Sequence, residues 1–273
     1  MISTILVATD GSEAAAAAER FGASLCARLK ARLHGLSVVE DRFARGFQED
    51  GLGVAPPAAD AVAVYLKARA DAACRRVSEA AAGAGVEHSC DVVQGIADDC
   101  IVERGQQADL TVLGRDGQGA AHRTGLIGST VNGVICKTAK SAVVVPTTAQ
   151  LGGPIVVAFD GSPGSRIGAN VAVQVATRLG EPIHVFVDSK DKGRAVARFD
   201  EVRGIVGSLP VPVHEISSTL GRPDVKIVDS AREVRAGLIV MGAYGRNRKT
   251  EYFLGSNAAA VVRTSPIAVL LAR

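Results

Sequence analysis

Two short stretches place an aspartate at the end of an apolar run: VATDGS at residues 7–12 and VAFDGS at residues 157–162. Far downstream of each, a second apolar run opens into glycines and closes on a Gly-Ser pair, from Gly114 to Ser129 and from Gly242 to Ser256. The chemistry that suits this pattern is anion binding. Glycines let the backbone approach a ligand with no side chain in the way, and they permit the positive φ angles that turn successive N–H groups inward as a nest. Ser256 opens a helix, whose first N–H groups lack internal partners and carry the positive end of the dipole. A phosphate fits there. The second loop reads Gly242-Ala-Tyr-Gly245, nine further residues, then Gly255-Ser256-Asn257, with Arg246, Arg248 and Lys249 adding cationic charge. The first loop departs from it. Ten residues separate Gly117 from Gly128, Asp116 stands inside, and Thr130 follows Ser129. A carboxylate 4 Å from a phosphate charge costs about 1 kcal/mol in water-like surroundings and about 4 at intermediate dielectric. Arg115, His122 and Arg123 lie nearby in sequence to offset it.

Alternating strands and helices position these residues. Strands are expected at 3–10, 32–41, 86–95, 108–114 and 142–146, and helices at 13–30, 58–82, 96–106 and 129–139. Residues 42–57 carry Gly, Pro and charge without periodicity and read as a loop or flap. The plan repeats after a seam near residues 147–153. Strands are expected at 154–160, 182–188, 211–217, 237–242 and 267–272, with helices after residue 162, over 194–207, 224–235 and 256–264. Ser12 and Ser162 stand at cap positions, and Pro163 at a first helical position where the missing N–H is harmless. The expected fold class is α/β: two tandem lobes, 1–150 and 151–273, each a five-stranded mainly parallel sheet covered on both faces. Right-handed crossovers then bring Asp10 and the Gly114 loop to one rim, and Asp160 and the Gly242 loop to another.

Composition narrows the function classes. Hydrophobic residues make up 47%, charged residues 22% and aromatics 4%, with no tryptophan. That describes a globular protein without the stacking platforms of single-stranded nucleic-acid binders. A net charge of +3 gives no general pull toward nucleic acid or membrane. No apolar run approaches the ~20 residues of a membrane span, and no signal peptide is evident, so the expected location is the cytoplasm. The five cysteines include no C-x-x-C pair and read as buried reduced thiols. There is no G-x-x-x-x-G-K-[ST] stretch, no G-x-S-x-G elbow and no H-E-x-x-H, and neither an activated nucleophile nor an acid/base pair stands out. His34, His88, His184 and His214 fall in or beside strands and read as structural. Asp10 and Asp160 also have a plain reading, as braces of their strand-to-helix turns.

Strand-Asp-Gly-Ser in front, with Gly-x2-Gly-x9-Gly-Ser behind, resembles the universal stress protein family in its tandem, two-domain form. The resemblance covers the entire chain. It implies a five-stranded parallel α/β fold and, as in many members, binding of ATP or a related adenine nucleotide. The aspartate would hold the nucleoside, backbone at the second strand's end would meet adenine, and the glycine loop would take the phosphates. Carried over, the second-half residues are Asp160, the region around Phe186, Gly242, Gly245, Gly255 and Ser256, with Arg246 and Asn257 as extra donors. First-half equivalents are Asp10, the region around Val38, Gly114, Gly117, Gly128 and Ser129, with Thr130 adjacent. The implied role is a stress-response regulator read by a protein partner. The alternatives are slow ATP hydrolysis or phosphoryl transfer, with Asp10 or Asp160 holding Mg²⁺ through water, and a ligand-free scaffold with vestigial loops. The apolar strands AVVVP and IAVLLA are expected at sheet edges, where the lobes pack as a covalent pseudo-dimer. Further homodimerisation is left open.

Overall fold

The computed structural model describes residues 2–40, 59–117, 127–207, 209–219, 221–244 and 254–273. The first lobe runs β1 (Thr4–Thr9), α1 (Glu13–Leu29), β2 (Arg32–Glu40), α2 (Ala59–Gly83), β3 (His88–Gly95), α3 (Ala97–Gly105), β4 (Leu110–Gly114), α4 (Ser129–Lys137) and β5 (Ala142–Val145). The second runs β6 (Ile155–Ala158), α5 (Pro163–Leu179), β7 (Ile183–Asp188), α6 (Lys192–Val206), β8 (Val213–Ser218), α7 (Pro223–Glu233), β9 (Leu238–Gly242), α8 (Ser256–Thr264) and β10 (Ala268–Ala272). The flap expected at 42–57 lies outside the described residues.

Local chemistry sets the helix starts. Ser12 Oγ accepts from the Ala15 N–H, and Ser162 Oγ from the Ser165 N–H, so α1 and α5 are capped by the serine of each Asp-Gly-Ser turn. Along α1 the buried residues Ala15, Ala18, Leu25 and Leu29 recur at helical spacing and face the sheet. Gly22 lets α1 lie close on β1: a Cβ there would sit 2.7 Å from Val7 Cγ2.

Among the described residues, ten strands form one sheet in the order β3-β2-β1-β4-β5-β10-β9-β6-β7-β8. Every pair is parallel except β5 with β10, which run antiparallel with Val144 opposite Val269. The two strands expected at edges are edges only of their own lobes. Each completes the other's hydrogen-bond ladder, and the outer edges of the whole sheet are β3 and β8. Two apolar layers run through both lobes, one under α1, α2, α5 and α6, the other under α3, α4, α7 and α8. The lobes are also clasped reciprocally. Arg28 donates to the Leu179 carbonyl at the end of α5, and Arg178 donates to the Leu29 carbonyl at the end of α1.

One expectation is overturned. Cys74 of α2 and Cys90 of β3 are joined by a disulfide, with Cα atoms 5.7 Å apart. The helix lies across β2 and β3, and Gly35, the register partner of Cys90, leaves room for the sulfur. The 16-residue separation carries no local pattern, so the sequence offers no sign of it. Reduced thiols therefore no longer argue for a reducing compartment. Cys26 is buried, while Cys100 and Cys136 are half-buried. Among the described residues, no helix is long and apolar enough to cross a membrane.

Candidate anion site at the carboxyl rim

In each lobe the first and fourth strands are neighbours, β1 beside β4 and β6 beside β9, while the second strand lies on the far side of the first. The chain reverses its winding there, and such switch points open a crevice at the strands' carboxyl ends. The Asp-Gly-Ser turns and the glycine loops leave the sheet at that crevice.

The two turns are congruent. Asp10 Oδ1 accepts from the Ser12 N–H and Asp160 Oδ1 from the Ser162 N–H, each at 2.9 Å. Gly11 and Gly161 take φ of +72° and +76°, a conformation that disfavours any side chain. Both aspartates thus brace their turns through one oxygen. The other oxygen of Asp10 faces the glycine loop: a Cβ on Gly117 would lie 3.1 Å from Asp10 Oδ2. Gly128 returns to the same place. Its N–H donates to the Arg115 carbonyl at 3.2 Å, and a Cβ on it would lie 3.9 Å from the Gly117 nitrogen. Gly114 passes the first turn of α1, where a Cβ would meet the Ala14 carbonyl at 3.4 Å. Asp10, Gly114, Gly117 and Gly128 are therefore gathered around the start of α4.

In the second lobe Gly255 donates to the Ala243 carbonyl at 3.0 Å, the same neck closure. Gly242 packs against the first turn of α5, where a Cβ would lie 2.7 Å from the Gly164 carbonyl carbon and 2.9 Å from the Ser165 nitrogen. Gly245, Arg246, Arg248 and Lys249 lie outside the described residues, as do His122 and Arg123.

Helices α4 and α8 begin alike. Gly128 and Gly255 occupy the cap positions with φ/ψ of −54°/141° and −55°/140°, and neither helix receives a side-chain cap. Helices α1, α5 and α6 are capped by Ser12, Ser162 and Asp191, while α3 and α7, entered through Ile96 and Arg222, also lack a side-chain cap. Ser129 and Ser256 stand at first helical positions, followed by Thr130 and Asn257, and their N–H groups are of the kind left without intrahelical partners. Ser256 opens α8 and is not its cap residue, because Gly255 takes that place. The positive φ expected of the loop glycines is absent at the described ones. None of Gly114, Gly117, Gly128, Gly242 and Gly255 is among the positive-φ glycines. They are needed for close approach instead.

Arg115 and Asp116 also serve the boundary between the lobes. Arg115 pairs with Asp116 at 3.1 Å and donates across the lobe boundary to the Arg263 and Ser265 carbonyls at the end of α8. Arg273 does the reverse, donating to the Ile135 and Thr138 carbonyls at the end of α4, with its guanidinium 4.3 Å over the Tyr244 ring. Asp116 and Tyr244, each two residues past the opening glycine, thus support an arginine that caps the other lobe. Arg115 thus offsets the Asp116 carboxylate by pairing with it directly, while the same guanidinium reaches across the lobe boundary.

At the second strand's end, Val38 is half-buried. Phe186 is 2% exposed, and its carbonyl accepts from the Phe159 N–H, so its ring belongs to the core. The register pairs Ala8 with Leu36 and Ala158 with Phe186, which makes Asp188 the counterpart of Val38. Its carbonyl accepts from Arg198 Nη1 at 3.0 Å.

Three residues that the sequence reading passed over hold the first turn. Glu19, 1% exposed, binds Arg76 at 2.6 Å and accepts from Thr9 Oγ1. Arg76 donates on to the Gly11 and Ser12 carbonyls, and Arg69 to the Asp10 carbonyl. The hydrogen bonds to Glu19 raise the Arg76 pKa above its already high ordinary value. The one available signal was Glu19 itself, a charge set inside the apolar stripe of α1. No group of three His, Cys, Asp or Glu able to hold a metal occurs among the described residues.

The universal stress protein family profile matches residues 1–146 and again 153–273. A universal stress protein of Synechocystis sp. is 24% identical over 289 residues, with both chains fully covered. One of Mycobacterium tuberculosis is 29% identical over 196 residues, covering 63% of this chain; the match spans about two thirds, 64%, of that relative's length. In fold the chain is similar to a crystal structure of a universal stress protein from Archaeoglobus fulgidus, with a TM-score of 0.77 and 20% identity over 99% of this chain and 98% of that one. The paired turns, the paired loops and the repeated match agree: the chain belongs to the universal stress protein family and carries two of its domains in tandem.

Proposed function

We propose that the carboxyl rims bind an adenine nucleotide, ATP first among them, and that the protein acts as a regulator whose nucleotide-bound surface is read by a protein partner. The observation that carries this reading is the pair of uncapped helix starts, α4 and α8, each entered through a glycine at close to the same φ/ψ. Unpartnered N–H groups at a helix N-terminus favour a phosphate. Asp10, touching Gly117, supplies an acceptor for ribose hydroxyls beside that phosphate position. Ser129 and Thr130 in one lobe, and Ser256 and Asn257 in the other, add donors.

Bound Mg²⁺ would neutralise phosphate charge near Asp10 or Asp160. The residues at the rim bind and orient, and the role is binding rather than turnover. The test is direct. Denatured protein is inspected by mass spectrometry for released adenine nucleotide, and thermal unfolding is followed with millimolar ATP. Nucleotide release or an upward shift in Tm supports the proposal; neither, in the same preparation, removes it. Phosphate release that disappears in Gly255→Glu would turn the reading toward slow hydrolysis.

A further inference from the structure

We propose that Cys74 and Cys90 form a reversible redox modification site, and that thiol–disulfide exchange there sets how firmly the Asp10 turn is held. The disulfide ties the middle of α2 to β3. The same stretch of α2 grips the turn after β1. Arg69 Nη2 donates to the Asp10 carbonyl at 3.1 Å, and Arg76 donates to the Gly11 and Ser12 carbonyls at 3.3 and 2.9 Å. Between them Ala73 lies against Gly11, where an added Cβ would be 3.3 Å from the alanine methyl. Residue 74 sits among these contacts, so a shift of the helix there is a shift of all three.

The packing leaves little choice but to move the helix. A Cβ on Gly35 would lie 2.6 Å from Cys90 Sγ and 2.9 Å from Val77 Cγ1, so the sulfur and the next turn of α2 already fill the dent over β2. On reduction the two sulfurs separate from bonded to non-bonded distance. A close-packed layer transmits that displacement instead of absorbing it.

Access is one-sided. Cys74 is 8% exposed, whereas Cys90, on the edge strand β3, is half-buried. The co-reactant is a dithiol. Its thiolate attacks Cys90 Sγ, the Cys74–Cys90 bond breaks, and Cys74 leaves as a thiolate that takes up a proton. The second thiol of the reductant then displaces Cys90, which takes the other proton, and the reductant departs as a disulfide. A disulfide oxidant runs the exchange in reverse.

The second lobe supplies the control, because it contains no cysteine. Its helix α6 reaches the equivalent turn with Glu201, whose Oε2 would lie 3.6 Å from a Cβ on Gly161, and with Arg198. The Asp160 turn is therefore indifferent to redox state. The effect on the Asp10 turn does not depend on which anion the rim binds; its consequence for ATP affinity rests on the nucleotide reading above.

The test uses the full chain. Differential alkylation of the unsubstituted protein, read by mass spectrometry at residues 74 and 90, reports the disulfide before and after treatment with dithiothreitol and after reoxidation with oxidised glutathione. Hydrogen exchange is then compared in the oxidised form, the reduced form and a Cys74→Ser/Cys90→Ser variant. The amides of Gly11, Ser12 and Ala15 are expected to exchange at least about tenfold faster in the latter two, through easier local opening. The matching amides of Gly161, Ser162 and Ser165 are expected to stay unchanged. Free thiols at both positions after reoxidation overturn the proposal. So does equal exchange at residues 11–15 in the oxidised and reduced forms. If exchange responds while ATP binds neither form, the redox site stands and the nucleotide reading of the first lobe falls.

Discussion

Replacing Gly242 and Gly204 by alanine, one at a time, applies identical chemistry in two surroundings and should give opposite signs. At Gly242 the new methyl would lie 2.7 Å from the Gly164 carbonyl carbon and 2.9 Å from the Ser165 nitrogen. Both are backbone atoms, and both distances fall well inside the ~3.5–4.0 Å of ordinary carbon contact. Neither atom can rotate away, so β9 and the first turn of α5 must separate. Overpacking of this kind destabilises by about 1–3 kcal/mol. The separation also moves the Asp160 turn, which immediately precedes α5, away from the Gly242 loop. Gly204 lies in the last turns of α6, and a Cβ there would meet nothing within 4 Å. Alanine in such a position stabilises by about 0.5–1 kcal/mol, chiefly by restricting the unfolded chain. Urea unfolding followed by far-ultraviolet circular dichroism, compared at unchanged m, reads both effects. A Gly242→Ala protein as stable as the parent, or a Gly204→Ala protein equally weakened, would refute the close approach of β9 to α5.

Glu19→Ala removes a buried carboxylate from Arg76, whose side chain is 37% exposed; solvent screening of the arginine keeps the expected loss of stability to about 2–3 kcal/mol by urea unfolding. Arg115→Ala frees the Arg263 and Ser265 carbonyls and leaves Asp116 unpaired, so faster hydrogen exchange is expected at the end of α8 in the opposite lobe. His184 stacks on His214 with ring centroids 4.6 Å apart, and burial, then the neighbouring imidazole, hold its pKa below the ordinary 6.5. The unfolded chain therefore binds that proton first. The contribution is intact above pH 6.5 and is lost as pH falls toward the lowered folded-state pKa, a slope that His184→Gln should flatten in urea midpoints measured from pH 7.5 to 5.

The repeat, the alternation of strands and helices within each lobe and most element bounds were legible because short apolar runs alternate with capped, Ala-rich helices. The strand expected at 32–41 is Arg32–Glu40, and the helix expected at 58–82 is Ala59–Gly83. What was not legible depends on partners far apart in the chain. Cys74 and Cys90 meet only because α2 crosses β3 over Gly35. Arg115 reads as a loop cation but reaches across the lobe boundary to Ser265, 150 residues away. The region around Phe186 was expected to line the rim through its backbone, but the register makes Asp188 the counterpart of Val38 and the Phe186 ring lies in the core. The loop glycines suggested positive φ, whereas at Gly114, Gly117, Gly128 and Gly242 the packing requires only that they lack a Cβ. Glycine content alone does not separate these two uses.

The proposed function requires that the uncapped amides opening α4 and α8 receive phosphate. The direct measurement is a nitrogen–proton correlation spectrum of the labelled protein titrated with ATP, with Ser129, Thr130, Ser256 and Asn257 assigned. Saturable shifts concentrated at these amides, together with Gly128 and Gly255, are the expected result. Saturable binding that leaves them unmoved, or no binding at millimolar ATP, would contradict it.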